Sequence, residues 1–385
     1  MSAPKRHFIS DDALLEAVKR LGSHTKAAAE LGCNRRNVDK RIARLAKRGY
    51  APEHDMTRTV PDGYLVKGVS TYYNANGEVT AQWVKSAIDN EALQESITQW
   101  LKACVEDLPK LAKRKKSSGL WIDDRMACYP IGDAHIGMRA WAEECGKDWD
   151  LAIAERVQCN AMAELVGLAP KTRRSVIVDL GDWFHYDSMA AVTPRSGHNL
   201  DADGRYAKMI TVGIKVMRQC IESALDKHDT VEVICIPGNH NETGALFMSV
   251  ALSHIYENEP RVIIDKTPAL FTYFQFGKTL VGIHHGHTCK AEKLPGVMAA
   301  DKPKEWGESE FRYWWCGHVH HQSVKEYPGV SVETFNTLAA NDAYATAGGW
   351  RSRENMKCIV LDESRGEVMR LTVLPDNSPA KGGQG

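Results

Sequence analysis

Five apolar runs in the second two-thirds of the chain each break off at a glycine-marked loop carrying Asp, Asn or His. RMACYPIG (125–132) runs into Asp133 and His135, and RRSVIVDLGD (173–182) into Asp182 and His185. TVEVICIPGNH (230–240) ends on Asn239 and His240, KTLVGIHHGH (278–287) on His284, His285 and His287, and RYWWCGHVHH (312–321) on His318, His320 and His321. A short continuous apolar run closed by a turn signal reads as a buried strand. Helical patterns at 150–168, 205–227 and 243–257 lie between these runs. Strand, loop and helix in repetition predict an α/β domain whose functional groups collect at the carboxyl ends of the strands. Shorter strands around 323–335 and 356–374 predict a second sheet packed on the first.

A single histidine at a strand end is commonly a hydrogen-bonded structural residue. Five such ends together would crowd imidazoles and carboxylates at a cost that cations between them relieve. The donors are oxygen and nitrogen, without thiolate. That set suits Mn²⁺, Fe or Zn²⁺ in a dinuclear site, with Mg²⁺ also compatible, better than Ca²⁺ or a cysteine-bound structural zinc. Two metals about 3.5–4 Å apart bind one phosphate, activate a water and stabilise the leaving oxygen.

The ordered series GDAHIG, GDWFH, GNHNE, HHGH and GHVH, over roughly residues 125–375, resembles the calcineurin-like metallophosphoesterase superfamily. The resemblance implies a two-sheet sandwich flanked by helices and two divalent metal ions, Mn²⁺ first among them. It implies that Asp133, His135 and His320 hold one metal, that Asn239, His285 and His318 hold the other, and that Asp182 bridges both. His285 is taken over His284 and His287 because it directly precedes Gly286, as the family ligand does. His240 would protonate the leaving oxygen or stabilise the transition state, and His321 would support the site from outside it. The Asp and Arg-Gly that follow the bridging Asp in the protein phosphatase branch are missing. GDWFH with DAHIG resembles instead the nuclease branch typified by SbcD, in which the histidine three residues after the bridging Asp helps position the scissile phosphate; here that is His185.

The first 50 residues hold 12 Lys and Arg against 5 Asp and Glu, although the whole chain is formally neutral. A basic head on an acidic body points to a polyanionic partner. ISDDALLEAVKRLG begins with Ser10 and two Asp where a helix start wants them, followed by an apolar stripe of Leu14, Leu15, Val18 and Leu21. KAAAELG then reads as a short helix ending at Gly32. A third helix turns Val38, Ile42 and Leu45 inward and Arg35, Arg36, Lys40, Arg41 and Arg44 mostly outward. This is the helix-turn-helix plan, with the third helix entering the major groove of DNA. TKAAAELGCNRRNVDKRI resembles the Fis-type helix-turn-helix family.

The expected organisation is a head at 1–50, a linker and β-hairpin at 51–90, a connecting helix and hinge at 91–120, and the phosphoesterase domain at 121–385. The hairpin, with Asn76-Gly77 at its turn, serves as a wing beside the head or as an oligomerisation element. This domain order is also similar to proteins encoded by bacteriophages and prophages. Two polar loops, 186–206 and 336–355, follow metal-binding motifs. They bring Arg195, His198 and Arg351 as candidate phosphate contacts and Trp350 as a base-stacking side chain, unless they are ordinary surface loops or subunit contacts.

No apolar run approaches a membrane span, the start lacks the apolar core of a signal peptide, and ten scattered cysteines form no CxxC pair. Together these point to a cytoplasmic protein without a membrane partner. The expected function is metal-dependent hydrolysis of DNA phosphodiesters, with a homo-oligomer compatible. The alternatives are a phosphatase or small-nucleotide phosphodiesterase with a regulatory head, and an inactive DNA-binding scaffold.

Overall fold

Capping side chains and apolar spacing set the elements at the amino-terminal end. Ser10 Oγ accepts the Ala13 N–H at 3.1 Å and opens α1 (Asp11–Leu21), which Gly22 ends with φ 58°. After α2 (His24–Glu30), Asn34 Oδ1 accepts the Arg36 N–H at 2.8 Å and opens α3 (Arg35–Lys47). Leu14, Ala28 and Val38, one from each helix, are buried together, with Ile9, Val18, Leu31, Cys33 and Ile42 packed around them. The apolar spacing read from the sequence therefore packs as a three-helix core. A two-stranded antiparallel ribbon follows, β1 (Tyr64–Tyr73) with β2 (Val79–Ile88). Asn74 Oδ1 gathers the N–H groups of Asn76 and Glu78 at its turn.

The computed structural model describes residues 9–51, 56, 60, 64–76, 78–88, 120–194 and 196–375. Gly77 of the expected turn, the expected connecting helix and hinge up to residue 119, and Arg195 lie outside them. The chain divides into two units, Met1–Ala103 and Cys104–Gly385.

In the second unit the apolar runs become β3 (Ile122–Ile131), β4 (Thr172–Asp179) and β5 (Thr230–Cys235), which pair in parallel. Between them lie α4 (Ala142–Cys145), α5 (Leu151–Leu168) and α6 (Tyr206–Lys227). α7 (Gly244–Ile255) leads to β6 (Val262–Ile264) at one edge of this sheet. The fourth and fifth apolar runs form a different sheet. β7 (Thr272–Phe276), β8 (Thr279–Ile283), β9 (Phe311–Cys316), β10 (Ser323–Tyr327) and β11 (Val330–Thr334) stand in the order β10-β11-β9-β8-β7. α8 (Leu294–Asp301) and α9 (Pro303–Glu308) connect β8 to β9, and α10 (Ala343–Ala347) follows β11. β12 (Met356–Asp362) and β13 (Gly366–Val373) then return to the first sheet, giving the order β13-β12-β3-β4-β5-β6. The segment 356–374, expected in the second sheet, thus closes the first one, where β12 runs antiparallel to β3.

The two sheets face each other across one apolar layer. Met126, Val176, Val178, Ile234, Ile359 and Leu361 of the first sheet meet Phe274, Phe276, Val281, Ile283 and Trp315 of the second. Side chains alternate along a strand, so Trp314 points the other way, into a second cluster with Leu294 and Met298 of α8. The expected fold class, an α/β two-sheet sandwich with flanking helices behind a small helical segment, is the one observed. Among the described residues no helix is long and apolar enough to cross a membrane.

Candidate metal centre

β3, β4 and β5 run parallel in one sheet and β8 and β9 run parallel in the other. The five motif loops therefore leave the carboxyl ends of strands from two sheets and meet over the end of the sandwich. Asp133, His135 and His320 offer ligand atoms within 4.8 Å of one another, as do Asp182, His285 and His318. The distances define two adjoining nests. His135 Nε2 lies 3.1 Å from His320 Nε2, and His320 Nε2 lies 3.3 Å from Asp133 Oδ1. His285 Nε2 lies 3.0 Å from Asp182 Oδ2, 3.1 Å from Asn239 Oδ1 and 3.9 Å from Asp133 Oδ1.

The backbone at this end is unusual. Among the described residues, the non-glycine residues with positive φ are Asp133 (42°), His135 (43°), Asp182 (57°), His318 (72°) and His320 (54°). Left-handed backbone costs such residues of order 1–3 kcal/mol each, and it persists where surrounding structure forces it. All five belong to the two nests. Close approach adds to the constraint: a Cβ at Gly238 would overlap Asp182 Oδ1, and one at Gly317 would sit 2.7 Å from Asp133 Oδ2.

Backbone and buried polar groups aim the ligands. The His318 N–H donates to Asp133 Oδ1 at 2.9 Å, and the His240 N–H donates to Asp182 Oδ1 at 2.8 Å. The Leu180 carbonyl can only accept, so His285 presents Nδ1–H to it at 2.8 Å and leaves Nε2 free for a ligand. Both nitrogens of His284 are engaged, one with Thr288 Oγ1 at 2.8 Å and the other with the Gly286 N–H at 3.0 Å, and its ring lies flat on Phe271. His284 thus faces away from the nests, while His287 lies beside His285 and His318 with ring centroids 5.2 and 6.2 Å apart. His321 turns back onto the Val319 carbonyl.

His240 is half-buried and gives Nδ1–H to the His185 carbonyl at 2.8 Å. His185 lies deeper. It is 1% exposed, with Nδ1 3.3 Å from His135 Nδ1 and its ring stacked on His240 at 5.4 Å. The reason is the burial of Trp183 and Phe184 and the His185 N–H bond to the Ile136 carbonyl at 3.0 Å. These hold the ring against His135 and His240, and the three offer ligand atoms within 4.8 Å of one another.

Electrostatics matches the crowding. Burial, with His240, His320 and His185 alongside, holds His135 well below the ordinary imidazole range. Burial and His240 push His185 down to about 3. Burial also opposes charge on His285, but the Asp182 and Asp133 carboxylates override it and raise that ring to about 9. Nitrogen facing nitrogen at 3.1 Å, and one imidazole nitrogen among three oxygens, is a donor set that fits divalent ions. Metal–nitrogen and metal–oxygen bonds of about 2.0–2.2 Å place neighbouring ligand atoms roughly 3–3.5 Å apart, the range in which His135, His320, Asp133, His285, Asp182 and Asn239 meet here.

Four supporting residues carry little or no signal in the sequence. Asn241, fully buried, accepts the N–H groups of Asp182 and Gly238, both at 3.0 Å, and so ties the second motif loop to the third. Its place two residues after Asn239 was the one available hint. Thr337 Oγ1 donates to the Asp133 carbonyl at 2.7 Å. Asp187 caps the start of α7, taking the N–H groups of Thr243 and Gly244 at 2.6 and 2.8 Å. Asp179 Oδ1 accepts the Gly181 N–H at 3.0 Å, and burial raises its carboxyl well above the usual range.

In the head, Arg35, Arg36 and Lys40 are exposed on α3. Arg41, expected to face DNA, is instead clasped by Asp11 of α1, which also takes an Arg44 N–H at 3.0 Å. Asp11 carries negative charge at the helix start, and the two arginines supply its counter-charge. In the polar loop 336–355, Arg351 Nη1 donates to the carbonyls of Trp350 and Thr346 at 2.8 and 3.3 Å, so it fastens its own loop.

No family model matches this sequence, and no curated protein matches it. Solved structures do. A conserved uncharacterized protein of Streptococcus pneumoniae TIGR4, described as a predicted phosphoesterase, aligns at 11% identity and TM-score 0.29, over 64% of this chain and 90% of its own. An archaeal phosphodiesterase aligns at 13% identity and TM-score 0.33, over 65% of this chain and 99% of its own. Vps29 of Entamoeba histolytica, in a complex with Zn²⁺, aligns at 12% identity and TM-score 0.28, over 64% of this chain and 98% of its own.

Proposed function

We propose that this chain is a dinuclear metal-dependent phosphodiesterase of the calcineurin-like metallophosphoesterase superfamily that hydrolyses DNA. The observation that carries the reading is the convergence of Asp133, His135, Asp182, Asn239, His285, His318 and His320 from two sheets, with left-handed backbone at five of the seven. Strain of that kind has no packing benefit to offset it, whereas a metal site repays it.

In this reading Asp133, His135 and His320 hold one ion, Asn239, His285 and His318 hold the other, and Asp182 lies between them. When bound, the ions supply positive charge to the phosphate and lower the pKa of the attacking water. Asp182 keeps Oδ2 toward His285 while the His240 N–H holds Oδ1, so its carboxylate cannot rotate away. His240 has Nδ1–H committed to the His185 carbonyl, so in the protonated ring it is Nε2–H that would pass its proton to the departing oxygen, leaving a neutral imidazole. His185, packed against His135, would help position the scissile phosphate.

DNA as the substrate rests on GDWFH, which resembles the SbcD-like branch, and on the basic third helix of the Fis-like head, where Arg35, Arg36 and Lys40 are exposed. The test is incubation of the full chain with Mn²⁺ and end-labelled single- and double-stranded DNA. Cleavage that chelation stops, and that Asp182→Ala abolishes, is expected. Intact DNA alongside rapid turnover of a simple aryl phosphate monoester would make it a phosphatase instead.

A further inference from the structure

We propose that Tyr344 and Trp350, backed by His198 and joined by Trp141, form a stacking platform for the bases of a single-stranded nucleic acid whose phosphate lies in the metal nests. The proposal rests on the phosphodiesterase reading above and extends it to the strand beyond the scissile bond.

The segment Gly132–Arg139 carries Asp133 and His135, and a loop is fastened along each side of it. On one side Thr337 bridges to Gly132 and hydrogen-bonds the Asp133 carbonyl. On the other, Met138 bridges to Ala202, the Arg139 N–H donates to the Asp201 carbonyl and the Asp203 N–H donates to the Gly137 carbonyl, both at 2.9 Å. The outer parts of the two loops then meet. The His198 and Tyr344 rings lie 6.5 Å apart at 29°, and the Tyr344 and Trp350 rings 5.4 Å apart at 71°. Arg351 and Asn341 hold the Trp350 carbonyl, and Lys147 pairs with Glu354 at 2.6 Å, so the loop is pinned while its rings stay bare.

Exposure supplies the second argument. Among the described residues from 120 onward, the exposed large aromatic side chains are Trp141 at 63%, Tyr344 at 69% and Trp350 at 55%. All three lie on the rim loops or just beyond the Asp133–His135 segment. Chance would scatter such rings, and burying them would stabilise the fold, so their clustering beside a phosphate site fits a π-faced ligand. Arg139 and Arg353, both exposed, add positive charge along the same rim. Aromatic faces combined with cations are how single strands are held without reading sequence.

The experiment uses the full chain and a single-stranded oligonucleotide carrying 2-aminopurine beside the cleavage position. Binding to the wild type should quench the fluorescence severalfold, and Tyr344→Ala with Trp350→Ala should remove the quench. In Mn²⁺ the same double variant should raise the oligonucleotide KM at least tenfold with kcat little changed, and Tyr344→Phe with Trp350→Phe should restore it. Turnover of bis(p-nitrophenyl) phosphate, whose rings stay beside its one phosphate, should remain within twofold of wild type. A quench and a KM that ignore the alanine substitutions overturn the platform. So does a variant whose only change is in oligomeric mass, which would make the rings a subunit contact. Quenching is read without turnover, so loss of the phosphodiesterase reading alone shows separately, as failure of the wild type to cleave either substrate.

Discussion

Buried histidines occupy both ends of the first sheet, and the protein satisfies them in opposite ways. His228 lies near the amino ends of β4 and β5 and is fully buried. Its Nε2 accepts from the Tyr129 hydroxyl at 2.8 Å, and its Nδ1–H has the Thr172 carbonyl at 3.1 Å and Oγ1 at 2.9 Å. Protein partners meet all of its needs. At the carboxyl end, His135 faces another imidazole at both nitrogens, His185 at 3.3 Å and His320 at 3.1 Å. Burial alone therefore does not mark a functional histidine. The partners mark it: His228 meets a hydroxyl and a carbonyl, whereas His135 meets only other ligand candidates at its two ring nitrogens.

The sharpest way to break that contrast is to remove a ligand. Asp182→Ala or His285→Ala is expected to lower metal-dependent cleavage by about a thousandfold or more, the scale of losing a catalytic constellation. Calorimetric titration with Mn²⁺ should show at least one site lost. If His285→Ala kept full stoichiometry and rate, the cluster would be as self-contained as His228. A milder probe of the same end is Asn241→Ala. It frees the Asp182 and Gly238 N–H groups from their shared acceptor, leaving two buried donors unsatisfied, and is expected to cost about 2–4 kcal/mol in chemical unfolding.

The opposite end makes a pH prediction. Burial, with Lys227 beside it and only the Thr172 carbonyl opposing, pushes His228 down to about 4. An unfolded histidine titrates near 6.5. The neutral folded form therefore contributes stability that is fully present above about pH 6.5 and is lost as pH falls through about 4. The full loss is of order 3 kcal/mol. Urea unfolding of the metal-free chain and of His228→Gln, compared between pH 7 and pH 4, should give a difference that shrinks over that window. Mn²⁺ binding by His228→Gln at pH 7.5 should match wild type. A difference that stays flat with pH would mean His228 is no more neutral than an exposed ring.

The sequence exposed the two ends unequally. Recurrence of Gly with Asp, Asn or His after apolar runs was visible five times, because strands and the turns after them leave a local pattern. That the fourth and fifth runs belong to another sheet was not visible, since strand pairing joins residues far apart in the chain; β12 pairs with β3 across more than 200 residues. His185 shows the limit within the site. Its spacing from Asp182 is local, but its contact with His135 depends on how Trp183 and Phe184 are buried. His228, between an aspartate-flanked lysine and a strand, carried no signal at all.

The same distinction between satisfied and unsatisfied groups divides the arginines of the head, and there the expected effects are smallest. Helical spacing places Arg36, Lys40, Arg41 and Arg44 on outward positions of α3, yet Asp11, thirty residues before Arg41, claims Arg41 and part of Arg44. Arg41 is the more enclosed of the two, with its side chain 26% exposed against 60% for Arg44. A guanidinium already neutralised by a carboxylate releases little counterion on meeting a phosphate, whereas Arg36 and Lys40 are exposed and have no such clasp among the described residues. Arg36→Ala and Lys40→Ala should each lower the slope of log affinity against log salt by about 1. Arg41→Ala should leave that slope nearly unchanged and instead destabilise the helical head by about 1 kcal/mol, the scale of an ion pair of this exposure. Filter binding to duplex DNA across a salt series, beside thermal unfolding of each variant, separates the two outcomes. A slope that falls as far for Arg41→Ala as for Lys40→Ala would show that Asp11 yields its arginine when DNA arrives.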